Sequence, residues 1–284
     1  MVGVRAVVGL AKAASSTMAL IKEGWELAVM RQSGQRLAEV SAVLREAVRV
    51  GVSTMELDAI AEKAIRDRGG VPSFKGYVVG SAGPFPFTIC ASVNEQVVHG
   101  FPSETPLRDG DVISIDMGLV YGGYHSDCAF TLAVGDVSED VQRLLDVTER
   151  SLYLGVAQAK PGNRIGDIGH AVQSFVKPHK FGIVREYVGH GIGRLLHEPP
   201  SVPNYGKPRK GLLIKPGWVI AIEPMITIGS AKTEVLDDGW TVVTRDRSLA
   251  AHFEHTVAVT PRGPEILTAL PGTVPDYASA FVGA

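Results

Sequence analysis

Leu107-Arg108-Asp109-Gly110-Asp111-Val112-Ile113-Ser114-Ile115-Asp116 recurs 107 residues later as Ile214-Lys215-Pro216-Gly217-Trp218-Val219-Ile220-Ala221-Ile222-Glu223. Each copy reads apolar, basic, any residue, Gly, any residue, Val, Ile, small, Ile, acid. A glycine turn entering a β-branched strand is common. An acid closing an otherwise apolar strand, in both copies, is not explained by turn chemistry. A His-Gly pair also precedes each copy, His99-Gly100 and His190-Gly191.

The surroundings of the two copies match as well. Before the first, apolar residues at helical spacing from about Glu23 to Val50 predict a helix that Gly51 ends. Ser53-Thr54-Met55-Glu56 forms a capping box for a second helix, which stops at Gly69-Gly70. A Pro/Gly/aromatic stretch, Ser73 to Phe87, leads to a strand from Ile89 to Val93. A hairpin then runs from Val112 to Asp116, turns at Tyr121-Gly122-Gly123 and returns from Tyr124 to Val134. The second half predicts helices from Asp140 to Ala159 and, after Pro161-Gly162-Asn163, through Ile165 to Phe175. Strands follow at Val219 to Glu223 and Phe253 to Thr260. Two helix–helix–strand halves imply an internal pseudo-twofold and an α+β fold on one continuous sheet.

Composition narrows the class. The 284 residues are 45% hydrophobic and 20% charged, a globular profile. A chain of this size buries roughly 75% of its unfolded surface and needs no staples. Lys+Arg 28 against Asp+Glu 30 gives a net charge of −2, without the basic excess of a phosphate-neutralising nucleic-acid binder. Cys90 and Cys128 are too few for a disulfide framework or a cysteine-rich zinc module. Arg5 and Ala6 to Leu10 imitate a secretory signal, but Lys12 interrupts the run and no stretch is long enough to span a membrane. Residues 1–20 therefore read as an N-terminal extension of a cytoplasmic protein.

The closing acids raise a charge problem. With the hairpin centred near Gly122, Asp116 and Asp127 fall almost opposite each other on adjacent strands and on one face. Two buried ionised carboxylates repel, so they must share a proton, pair with a base or bind a cation. Glu223 and Glu254 form the corresponding pair in the second half. Four converging carboxylates are too many for proton sharing and suggest two bridged divalent metals. A neighbouring histidine would shift selectivity toward transition metals. His99, His190 and His197 each sit in a Gly/Pro-flanked segment before a carboxylate strand. His125, His170, His179, His252 and His255 read as structural or solvated, His255 facing away from Glu254 by strand alternation.

Other motifs fail. His197-Glu198 cannot open a zincin helix because Pro199-Pro200 follows. Gly189-His190-Gly191-Ile192-Gly193 lacks the glycine spacing and the βαβ unit of a dinucleotide loop. There is no Gly-x-Ser-x-Gly elbow, and Gly80-Ser81-Ala82-Gly83 reads as a loop.

Val93 to Gly100, Asp116 with Asp127, Gly189 to Gly193, Ile222-Glu223-Pro224-Met225 and Asp238-Gly239-Trp240-Thr241 leading to Glu254-His255-Thr256 together resemble the type I methionine aminopeptidases of bacteria. The resemblance spans residues 21–270 and leaves 271–284 as a C-terminal tail. It implies the pita-bread fold, two related halves around a curved antiparallel sheet, in agreement with the repeat. It also implies two divalent ions (Co, Mn, Fe or Zn) held by Asp116, Asp127, His190, Glu223 and Glu254, with Asp127 and Glu254 bridging. His99 and His197 match histidines that contact substrate, and Glu223 would relay a proton. His197 would stabilise the oxyanion and His99 would bind the leaving peptide's nitrogen. Phe74, Tyr77, Phe85, Cys90, Leu196 and Trp240 match the methionine pocket. The loop from Tyr77 to Phe85 is longer than usual, and Leu196 stands where an aromatic is common.

The implied activity is removal of the N-terminal methionine from nascent polypeptides when the second residue is small. The implied enzyme is monomeric, with transient ribosome association and no membrane or nucleic-acid partner. Prolidase and creatinase relatives carry a large domain before the catalytic one, whereas the resemblance here already starts near Ile21. A non-enzymatic binding module on the same scaffold would lose ligands, and all five are present. The large insertion of type II enzymes and the cysteine-rich extension of eukaryotic ones are missing.

Overall fold

The computed structural model describes residues 21–80 and 82–275. The proposed extension 1–20, Ser81 of the Gly80–Gly83 loop and the end of the tail, 276–284, lie outside the described residues.

The helices follow their local signals. Helix α1, Gly24–Ala47, ends three residues before the expected Val50, with Val48 already extended. Helix α2, Thr54–Asp67, is closed at its start by the reciprocal Ser53–Glu56 capping box. Helix α3, Glu139–Val156, is capped by Ser138, and α4, Ile165–Val176, begins where Asp167 accepts the Arg164 backbone N–H at 2.7 Å. Among the described residues no helix is long and apolar enough to cross a membrane.

Strands β1 (Val71–Pro72), β2 (Ile89–Val93), β3 (Gln96–Val98), β4 (Val112–Tyr121) and β5 (Tyr124–Ala133) belong to the first half. The second half supplies β6 (Gly182–Ile183), β7 (Gly189–Gly191), β8 (Glu198–Val202), β9 (Val219–Ile222), β10 (Met225–Thr227), β11 (Thr233–Val235), β12 (Val242–Thr244), β13 (Ala250–His252), β14 (Glu254–Thr260) and β15 (Gly263–Ile266). Nine strands join in one antiparallel sheet ordered β1-β4-β5-β14-β9-β7-β8, with β2 on β4 and β15 on β14. The seam between halves is therefore the β5–β14 pair, flanked by β4 on one side and β9 on the other. Pro199-Pro200 sits in the outermost strand β8, where a missing N–H costs no ladder bond. Two small sheets, β13-β10-β6 and β11-β12-β3, complete the fold.

The sheet separates two chemistries by alternation. Ile113, Ile115, Met117 and Leu119 of β4, with Cys128 and Phe130 of β5, join a core that includes Leu37, Val40 and Leu44 of α1 and Leu144, Leu152 and Val156 of α3. The intervening positions Ser114, Asp116, Gly118, Asp127, Ala129 and Thr131 are small or polar and face the other way. Gly118 has to be small there, because a Cβ would lie 2.7 Å from Ser73 and 2.9 Å from the Phe74 ring.

The hairpin register corrects the sequence reading. Gly122 and Gly123 both adopt left-handed backbone (φ +60° and +81°), so the turn is centred between them and pairs Tyr121 with Tyr124. Asp116 then faces Ala129, and Asp127 faces Gly118. The two aspartates are not opposite one another but two residues apart along the same face. In the second half His255 pairs with Ile222, and the next rung brings Glu223 opposite Glu254.

Candidate metal centre

One row of the sheet carries most of the centre. Cys90 on β2 pairs with Asp116 on β4, Asp116 with Ala129 on β5, and Ala129 with Glu254 on β14. Continuing the β14–β9 register adds Glu223, just past β9. Asp127 lies two residues along from Ala129, and His190 enters from β7. Ala129 is the small residue between the acids of the two halves.

The side chains converge. His190 Nε2 lies 3.5 Å from Glu223 and 3.9 Å from Asp127. Asp127, His190 and Glu254 each offer an atom within 4.8 Å of the others. His190 Nδ1 sits 2.9 Å from the Gly191 carbonyl, which can only accept, so the ring proton is on Nδ1 and the Nε2 lone pair faces the acids. Thr256 bonds both the N–H and the carbonyl of Asp127, at 2.9 and 2.8 Å, and Asn204 donates to the Glu223 carbonyl at 2.9 Å. These contacts fix the backbone beneath two of the ligating positions implied by the sequence, Asp127 and Glu223, and the ring of a third, His190.

Electrostatics show what the cluster lacks. Burial pushes Asp116 up to about 7 and, with the charge of Asp116, Glu223 up to about 8. Burial, reinforced by the neighbouring acids, raises Asp127 and Glu254 well above the carboxylate range. Burial lowers His190 to about 4, so it is a neutral donor at pH 7. Asp116 Oδ1, Asp127 Oδ1 and Glu254 Oε1 are buried with no hydrogen-bond partner among the described residues. Each such orphan costs about 1–3 kcal/mol, and several together at one point need an explanation. Divalent cations fit: they would ionise the acids and satisfy the orphaned oxygens, and the imidazole favours transition metals over Mg²⁺ or Ca²⁺.

An apolar aromatic cluster adjoins this row. Phe74, Phe85, Cys90, Leu196 and Trp240 form one buried cluster, with Tyr77 packed against it. Phe85 meets Trp240 edge-on at 5.2 Å and Phe101 at 5.4 Å, and Phe87 extends the same stack. Cys90 belongs both to this cluster and to the carboxylate row. The long loop does not separate its aromatics: Phe85 N–H bonds the Tyr77 carbonyl at 2.8 Å, Gly76 N–H bonds Phe85 at 2.7 Å, and Val78 bridges Pro84. Beyond that neck Ala82 folds back to pack against the cluster, beside Gly239.

His197 lies at the mouth, its ring 4.3 Å from His190, with Tyr77 Oη 2.6 Å from its Nδ1. His99 is half-buried, with left-handed backbone (φ +59°), and packs edge-on against Tyr187 and Trp240. Asp238 holds Trp240 and Thr241 by both backbone N–H groups at 2.8 Å. Of the histidines read as structural, His125 bonds Ser73, and His255 faces away from the centre toward Thr268 and Tyr153.

His252 departs from that reading. It is 1% exposed and its Nε2 lies 3.9 Å from Glu223 and 4.0 Å from Glu254. The usable signal was alternation, since a residue two before Glu254 shares its face. Phe87, Phe101 and Tyr187 were also missed, and composition alone offers no way to separate them from ordinary core.

Metallopeptidase family M24 matches residues 28–261. Methionine aminopeptidase 1 of Bacillus subtilis is 50% identical over 251 residues, 88% of this chain and 99% of that protein. The crystal structure of methionine aminopeptidase from Thermotoga maritima superposes with a TM-score of 0.84 at 39% identity, covering 88% of this chain and 99% of that one. Prolidase from Pyrococcus furiosus, with a TM-score of 0.69 at 21% identity over 89% of this chain and 66% of its own, shares the fold alone, the pita-bread arrangement. The chain belongs to metallopeptidase family M24, among the bacterial methionine aminopeptidases.

Proposed function

We propose that this enzyme is a dinuclear metal-dependent aminopeptidase that removes the N-terminal methionine of nascent proteins when the second residue is small. The observation that carries the proposal is the convergence of two buried acids, two half-buried ones and one neutral imidazole, three of the acids' oxygens unpartnered, beside an apolar aromatic cluster. Asp116, Asp127, His190, Glu223 and Glu254 would hold two ions (Mn²⁺, Fe²⁺, Co²⁺ or Zn²⁺), which when bound polarise the scissile carbonyl and lower the pKa of water.

The chain's own groups do the rest. Phe74, Phe85, Cys90, Leu196 and Trp240 take the methionine side chain, whose thioether suits an aromatic and thiol lining. The row position of Cys90 then places the substrate's first residue against the acids. Tyr77 Oη lies 2.6 Å from His197 Nδ1; in the tautomer this function needs, the hydroxyl donates there and the ring proton sits on Nε2, free to donate to the scissile oxygen as it gains charge. Glu223 moves a proton from water to the departing amine, and His99 binds the nitrogen of the leaving peptide. Tyr77 and His197 at the mouth crowd the second side chain, the physical basis offered for small-residue preference. The catalytic unit is residues 21–270, and the same reading makes it a cytoplasmic monomer that meets emerging chains through transient ribosome association.

The test is release of free methionine from Met-Ala and Met-Lys peptides after metal stripping and re-addition of Mn²⁺ or Co²⁺, beside Glu254→Ala. Metal-dependent cleavage of Met-Ala alone, lost in the variant, is expected. Metal uptake without methionine release would refute the substrate, and no uptake would refute the centre.

A further inference from the structure

His252 has no task in the reaction just described, yet its surroundings are specific. The residue is buried, and neither ring nitrogen has a hydrogen-bond partner among the described residues. Its backbone is clamped on both sides: Thr131 Oγ1 accepts the His252 N–H at 2.9 Å and donates to its carbonyl at 2.7 Å. Met225 pairs with His252 across β10 and β13, and Phe253 N–H bonds the Pro224 carbonyl at 3.3 Å. The turns carrying Glu223 and Glu254 are thus tied together at this histidine. A ring serving only to fill space would be replaced at less cost by an apolar side chain.

We propose that His252 is a positioning residue whose Nε2–H, set between the outer oxygens of Glu223 and Glu254, orients both carboxylates as metal ligands. Its Nε2 is nearly equidistant from the two, at 3.9 and 4.0 Å. Those separations are just outside hydrogen-bond range, as such contacts commonly are before the reacting partners are in place. Hydrogen bonds to the free oxygen of a ligating carboxylate fix its direction and tune the metal, and removing one typically weakens metal binding 10–100-fold. Because Glu223 and Glu254 come from opposite sides of the β14–β9 ladder, one donor sets both at once. The inference rests on the metal centre proposed above.

The experiment compares wild-type protein with His252→Leu and His252→Gln, all metal-stripped. Mn²⁺ affinity is read by calorimetry, the ligand field by the visible spectrum of the Co²⁺-loaded protein, and stability by melting without metal. The Leu variant is expected to bind Mn²⁺ about 10–100-fold more weakly, to shift the Co²⁺ bands, and to melt at or above wild type. The Gln variant, whose amide N–H can reach the same oxygens, is expected to restore both affinity and spectrum. Wild-type affinity in the Leu variant overturns the proposal, as does a Leu variant that melts lower or fails to fold, because the histidine is then structural. A Gln variant as weak as Leu also overturns it, since the ring would then be binding metal itself. Wild-type protein that takes up no Mn²⁺ refutes the centre as a whole, a failure visible before any variant is made.

Discussion

Stripping the metal should make this protein lose stability as pH rises through neutrality. The reason lies in the four clustered acids. Asp127 and Glu254 have folded pKa values well above the carboxylate range, and Glu223 is raised to about 8, burial being the first cause in each. Unfolded, all three ionise near pH 4. Between pH 7 and 8 the folded state therefore binds more protons than the unfolded one, so ΔG of unfolding falls as pH increases. Each acid that stays protonated contributes a slope of about 1.4 kcal/mol per pH unit. Glu223, raised to about 8, gives about 1 kcal/mol across this unit, and Asp127 and Glu254 act in the same direction. The buried histidines, all lowered, oppose this trend only below their unfolded pKa of about 6.5, which is why the window starts at 7. At roughly 2–4 °C per kcal/mol for a chain approaching this size, Glu223 alone should lower Tm by about 2–4 °C across that unit, with the other acids deepening the fall. Calorimetry in chelator at pH 7.0, 7.5 and 8.0 measures it, beside the Mn²⁺-loaded protein. Loaded protein should lose the slope, because ligands must be deprotonated to bind. A flat or rising Tm in the stripped protein would refute the reasoning. Asp127→Asn should make the slope shallower, because one raised acid is gone.

Tyr77→Phe should lower kcat about 5–20-fold with KM for Met-Ala peptides nearly unchanged, because one hydrogen bond orienting His197 is lost. A raised KM at constant kcat would instead make Tyr77 merely a pocket wall. Gly118→Ala should destabilise by about 1–3 kcal/mol and raise KM, since its Cβ meets Ser73 and Phe74; an unchanged denaturation midpoint would contradict that packing. Removing Val79 to Gly83 should lower kcat/KM for Met-Ala about 3–10-fold, roughly 1 kcal/mol, because Ala82 is lost from the Trp240 cluster while the Tyr77–Phe85 neck keeps its own backbone bonds. A larger loss would show that the loop reaches the substrate.

The sequence disclosed the architecture through local signals and one repeat. The Ser53–Glu56 capping box, the hairpin and the Gly110/Gly217 strand entries depend on neighbours in the chain, so they could be read without the fold. The relation of Asp116 to Asp127 could not be read to the residue, because centring a turn on Gly122 or between Gly122 and Gly123 shifts the register. The short strands near Gly189, Thr233 and Ala250 left no periodic pattern, being held by partners far away in sequence. The same holds for Tyr77 and His197, which are 120 residues apart yet share a hydrogen bond. His252 was hidden for a different reason. It carries the same side chain as His255, and only the face it shares with Glu254 distinguishes the two.

The seam between β5 and β14 has a consequence for how the enzyme comes into being. Synthesis delivers Asp116, Asp127, His190 and Glu223 in order, but Glu254 arrives with the central strand that joins the halves. A nascent chain stopped just short of β14 would carry four of the five donors on two sheet fragments, with β5 left as an open edge and β9 unattached. Activity therefore switches on late and all at once, when a single strand slots into the middle of the sheet. An enzyme proposed to trim other newborn chains would itself be inert until its own β14 has been made.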